Sequence, residues 1–152
     1  MKKNNTIQRV FLVLFAALTM FSCQKKDEAA AKSGSFTVDG TTYTGPCAAI
    51  VGISCTTGKD VIISTANANY NFTISSMPPA SSGTFNFTDG YYSSGTCNLY
   101  GAYTPPYTTA NDFYATSTGT LTKTGANSFT FSCTTYNLLT NIKKTVTGSG
   151  NY

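Results

Sequence analysis

From residue 33 onward the chain has no histidine, tryptophan, glutamate or arginine. Each absence removes a class of chemistry. Without histidine there is no imidazole to activate a serine or cysteine nucleophile, and no imidazole ligand for zinc. Without glutamate, the paired carboxylates of a glycosidase must come from four aspartates, Asp39, Asp60, Asp89 and Asp112. Asp39 and Asp89 each precede a glycine and read as turn residues, which leaves Asp60 and Asp112, both in expected loops. Neither a CxxC pair, a phosphate-cradling GxxxxGK[ST] nor a GxSxG elbow is present. No loop carries the alternating acids of a calcium motif. These absences argue for a protein that is not an enzyme and carries no metal or cofactor.

Charge of one sign is also missing once the ends are separated. The formal charge of +4 arises wholly before residue 33. Lys59, Lys123, Lys143 and Lys144 then balance the four aspartates. A neutral domain offers no basic patch, so nucleic acid is not an expected partner.

The one long hydrophobic run is residues 10–21, VFLVLFAALTMF, preceded by Lys2, Lys3 and Arg9. It is shorter than the roughly 18–20 residues of a membrane-spanning helix, and its flanks match a secretory signal. Residues 1–22 are therefore expected to be a signal helix. Ser22 and Cys23 end it, and Met20-Phe21-Ser22-Cys23 resembles a bacterial lipobox. That resemblance implies acylation of Cys23, cleavage before it, and a lipid anchor. The following Gln24-Lys25-Lys26-Asp27-Glu28 resembles the signal that sends some Bacteroidota lipoproteins to the outer face of the outer membrane. Residues 23–33 are polar and alanine-rich with nothing to bury, and read as a tether.

With Cys23 set aside, four cysteines remain: Cys47, Cys55, Cys97 and Cys133. An even number in an exported chain suggests disulfides. Cys47 and Cys55 would lie roughly 26 Å apart in an unbroken strand, so that pairing requires a turn near Gly52. Free buried thiols are the alternative.

Residues 34–152 have a period of two throughout, which is the pattern of strands. SFTVDGTTYTG reads as a hairpin about Asp39-Gly40, because Asp-Gly supplies the positive φ angles of a type I′ turn. CAAIVGISC presents Cys47, Ala49, Val51, Ile53 and Cys55 on one apolar face. Tyr70, Phe72 and Ile74 alternate, as do Phe85 and Phe87, then Cys97, Leu99, Gly101 and Tyr103. Further turns fall at 56–60, 66–69, 89–90, 124–127 and 138–141, and prolines break the pattern at 78–79 and 105–106. The expectation is one all-β domain, an antiparallel β-sandwich or flattened β-barrel of about 9–10 short strands.

The pieces SFTVDGTTYTG, GTFNF, GTLTKTGANSFTFSCTTYN and VTGSGNY resemble a group of small Bacteroidota outer-membrane lipoproteins of unknown function. The resemblance implies an antiparallel β domain on a lipid anchor and carries no catalytic residues. What is abundant is tyrosine. Tyr91, Tyr92, Tyr100, Tyr103, Tyr107 and Tyr114 crowd a short segment with Phe113 around Pro105-Pro106. Tyrosine combines rigid apolar area with a hydroxyl, which suits a glycan or protein surface. Alternation puts one of Phe113 and Tyr114 outward. The expected function is a surface-facing binding or adhesion module, with a structural subunit of an envelope assembly as the alternative. A Leu-poor β domain must also build its core from Phe and Tyr, and core packing is the plainer reading of these rings.

Overall fold

The computed structural model describes residues 32–52, 58–89, 98–106 and 113–152. Nine strands and no helix occur among them. They are β1 (Ser33–Val38), β2 (Thr41–Val51), β3 (Lys59–Ser64), β4 (Asn71–Met77) and β5 (Gly83–Asn86). β6 (Tyr100–Thr104), β7 (Tyr114–Lys123), β8 (Ser128–Asn137) and β9 (Lys143–Asn151) follow. The signal segment and Cys23 lie outside the described residues.

Every strand pairing is antiparallel. The order runs β7-β6-β4-β3-β2-β1-β9-β8, and β8 pairs again with β7, so eight strands close into a barrel. The ninth, β5, shares an edge of β7 with β6. Tyr114 and Ala115 face β6, whereas residues 120–123 face β5.

The first turn forms as its sequence requires. Val38 pairs with Thr41 across a two-residue loop, with φ of 48° at Asp39 and 86° at Gly40. Positive φ at both central residues is the type I′ geometry that matches strand twist. The turn expected at 89–90 is described only as far as Asp89.

Period-two alternation sends Phe36, Val38, Val61, Ile63, Phe72, Ile74, Leu121, Phe129, Phe131 and Val146 inward, all 5% exposed or less. Phe72 of β4 stacks on Phe131 of β8 at 4.4 Å across the interior. Glycines make room for the rings: a Cβ on Gly101 would lie 2.8 Å from Phe72, and one on Gly148 2.6 Å from Phe131. A small barrel fills its interior with this alternation of large and small residues.

The inward face expected for CAAIVGISC ends at its first residue. Cys47 is buried, but Ala49 is exposed and Val51 is 84% exposed; Ile53 and Cys55 lie outside the described residues. β1 covers β2 only up to Pro46, opposite Ser33. Beyond that point β2 pairs with β3 alone and becomes an edge, while β3 stays paired with β4 as far as Lys59–Met77. The core continues beside it in Val61, Ile74 and Met77, but the end of β2 has lost its β1 neighbour and Val51 meets solvent.

Cys47 and Cys133 are buried free thiols. The disulfide expected of them is not formed in the structure, and Cys55 and Cys97 lie outside the described residues. Burial pushes the Cys47 thiol up to about 11 and the Cys133 thiol up to about 12. Both are inert apolar fillers in this state.

The outward positions form hydroxyl rungs. One runs Thr84, Thr122, Thr130, Ser149, Ser35, Thr44 across six strands. The next runs Asn86, Thr120, Ser132, Thr147, Thr37, Thr42. Neighbouring hydroxyls bond at 2.8 Å (Thr37–Thr42) and 3.2 Å (Thr84–Thr122). Neither rung contains a charged residue. Closure explains how this is tolerated, because a ring exposes few strand edges that charges would need to guard.

Candidate functional site

Four tyrosines gather where β1 ends and β2 begins. Tyr43 pairs with Phe36 and therefore shares its inward face. Tyr103 pairs with both Phe72 and Tyr114, which places a second and third ring on the same side of the wall. Tyr70 leads into β4 from a turn held by Thr65, whose Oγ1 accepts the Tyr70 amide at 3.1 Å. Ala68, at φ 56°, lets that turn close.

The rings form one connected group. Tyr43 and Tyr70 stack at 4.4 Å, and Phe36 lies under Tyr43 at 5.2 Å. Tyr103 is 6.1 Å from Phe36 and 5.7 Å from Tyr114. Above Tyr114, at 5.5 Å from its ring centre, sits the ammonium of Lys144. Lys144 also donates to Asp39 of the first turn at 2.8 Å.

Electrostatics keep this end neutral. Burial, the neighbouring Tyr43 and a hydrogen bond with it hold the Tyr103 hydroxyl well above its ordinary range. The bond to Asp39 raises Lys144 against the opposing pull of burial. The site thus presents phenol hydroxyls and aromatic edges, with one ion pair satisfied internally. Such groups can stack on and hydrogen-bond to a neutral ligand.

Of the six tyrosines singled out in the sequence, the fold brings Tyr103 and Tyr114 together. Tyr103 is 4% exposed, so its ring belongs to the core and not to a surface. Its strand turns it inward beside Phe72. Tyr100 is half-buried at the far end of β6. Tyr91, Tyr92 and Tyr107 lie outside the described residues. Phe113 and Tyr114 are both half-buried, and Tyr114 packs against the core.

Tyr43, Tyr70 and Lys144 are members that sequence reasoning missed. Alternation marks Tyr70 as inward-facing, but nothing local pairs it with Tyr43.

The aspartates have structural partners. Asp39 holds Lys144, Asp60 accepts the Ser76 amide at 3.1 Å, and Asp89 accepts the Tyr136 hydroxyl at 3.1 Å. Ser76 has φ 57°, so the buried Asp60 secures an irregular strand where β3 and β4 slip register. Asp112 lies outside the described residues. Among the described residues no group of three or more cysteine or acidic side chains converges as a metal site.

A concavity lies on the hydroxyl face. It is a shallow trough of about 600 Å³ lined by Ser33, Gly34, Ser35, Thr44, Gly45, Ser149, Gly150 and Asn151. Comparison with protein-family models, curated proteins and solved structures gave no match to this chain.

Proposed function

We propose that this protein is a lipid-anchored, non-enzymatic binding module of a bacterial outer membrane, facing the cell surface. The observation that carries the reading is the placement of the tyrosine cluster relative to Lys32, the first described residue. Lys32, where the tether meets the barrel, accepts the Cys47 amide at 3.2 Å at the start of β1. Tyr43, Tyr70 and Tyr114 gather around the buried Tyr103 toward the other end of that strand. A barrel held by an acylated Cys23 then turns its aromatic end away from the bilayer, toward a glycan or an envelope protein.

Tyr70→Ala and Lys144→Ala test it. Retention on a glycan array or on immobilised envelope proteins is expected to fall at least tenfold, a loss of about 1.4 kcal/mol. Circular dichroism would verify that the fold persists. Unchanged retention of both variants would remove the tyrosine end from consideration.

The uncharged hydroxyl face favours a second reading, a structural subunit of an outer-membrane assembly. Protein interfaces are depleted of charge at their centre, as this face is. Thr130→Lys with Thr147→Lys would charge its middle. Loss of a stoichiometric crosslinked partner supports the subunit, and a free monomer in the unaltered protein opposes it.

A further inference from the structure

Four large apolar side chains are exposed among the described residues, and they fall at opposite ends of the barrel. Leu139 and Ile142 flank the β8–β9 turn. Ile50 and Val51 end β2, where it extends beyond β1 as an edge. That second pair is not alone. A hollow of about 520 Å³ brings Ala49, Ile50 and Val51 together with Lys32 and Lys59, with Tyr152 forming part of its lining. Two lysines flank this apolar strand end, and among the described residues no carboxylate lines the hollow.

The place of Lys32 identifies what this surface meets. It follows Cys23 by nine residues, which span at most about 30 Å when fully extended. An acyl anchor on Cys23 would therefore keep this end, where the tether enters the barrel, within reach of a bilayer. Apolar side chains rimmed by lysines are the composition that settles into a headgroup layer and meets lipid phosphates. A tethered surface needs little intrinsic affinity, because the anchor supplies a high effective concentration.

We propose that the end formed by Ile50, Val51, Lys32 and Lys59 is a second contact with the phospholipid bilayer. Ile50 and Val51 enter the headgroup region, and the two lysines meet lipid phosphates. The contact fixes the barrel upright, with the tyrosine end outward. This inference rests on the lipid-anchor reading of Cys23, and its test separates the two.

The chain has no tryptophan, so a single one introduced at an exposed site reports its own surroundings. Full-length Val51→Trp and, as the opposite-end control, Leu139→Trp would be matured in a lipoprotein-processing host. Each would be reconstituted into vesicles of phosphatidylcholine and phosphatidylglycerol carrying brominated acyl chains. The Val51→Trp emission should shift to the blue and lose most of its intensity to bromine quenching, while Leu139→Trp does neither. Adding Lys32→Gln and Lys59→Gln should weaken the quenching in phosphatidylglycerol vesicles. An unquenched Val51→Trp in protein that floats with the vesicles overturns the contact and leaves the anchor standing. Protein that does not float with them overturns both. A blue shift without quenching, accompanied by crosslinked dimers, assigns the surface to a second copy of the chain and overturns the bilayer contact.

Discussion

The ammonium of Lys123 donates to the Tyr152 hydroxyl at 2.7 Å and lies 5.0 Å from the centre of the same ring. It also donates to the Ala126 carbonyl at 2.7 Å, and the lysine is 2% exposed. This clasp closes the barrel at the end of β7, where an inward position would otherwise open to solvent. The opposite end has its counterpart in Lys144 over Tyr114.

Removing one acceptor from a buried ammonium should be worse than removing the ammonium. Tyr152→Phe keeps the ring but strips the hydroxyl, and should lower stability by about 1.5–3 kcal/mol. Lys123→Met fills similar space without charge and leaves the Tyr152 hydroxyl its 3.4 Å bond to Ala126, so its effect should be smaller. Urea unfolding ranks the two. The reverse order would show that the lysine matters through its charge, not through the need to satisfy it.

The buried thiols make stability fall in alkali. The pKa of each is higher folded than unfolded, rising from 9.0 to about 11 for Cys47 and about 12 for Cys133. A raised folded pKa means the contribution is whole below pH 9 and drains as pH climbs toward the folded value. Each thiol adds a slope of up to about 1.4 kcal/mol per pH unit in that window. Tyr103 acts in the same direction from its ordinary 10.0 upward. The urea midpoint should therefore drop above pH 9, and less steeply in Cys133→Ala. Equal slopes in the two proteins would count against a buried neutral thiol.

Two glycines should respond differently to alanine. Gly40, at φ 86° with nothing within 4 Å, gains only left-handed strain, about 1–2 kcal/mol. A Cβ on Gly45 would sit 1.8 Å from the Ser64 carbonyl oxygen, which is backbone and cannot swing aside. Gly45→Ala should be the more damaging, by several kcal/mol or by outright failure to fold. Thermal melts of the two variants decide it, and equal melting temperatures would contradict the close approach.

Asp39 has two roles that substitution can separate. Asparagine also tolerates the left-handed region, so Asp39→Asn keeps the turn and gives up only the exposed pair with Lys144. Its effect should stay within about 1 kcal/mol, and should shrink further in high salt. Asp39→Val, β-branched at φ 48°, should lose clearly more. A large loss from Asp39→Asn would mean that the ion pair, not the backbone, governs the turn.

Local chemistry made much of the fold legible. Val38-Asp39-Gly40-Thr41 states its own turn, and the alternation of Phe36, Phe72, Ile74 and Phe131 states its own face. The reading failed where a residue's environment depends on a distant strand. Val51 keeps its alternation but lies beyond the end of β1, so an apolar residue meets solvent. Tyr43 and Tyr70 stack only because β2 and β4 flank β3 and the wall curves. Tyr103 looked like one of a surface group and proved to be core, since sequence density does not show which way a wall bends.

The sequence by itself determined the strand period, the first turn, the neutrality of the domain and the catalytic groups it cannot contain. These follow from side-chain chemistry and from φ preferences, which act within a few residues. Only the tertiary structure decided that β8 returns to β7, that four tyrosines share one end, and that Lys123 and Lys144 each lie over a tyrosine. Those relationships come from the closure of a ring, whose register is fixed by long-range pairing that no local pattern encodes.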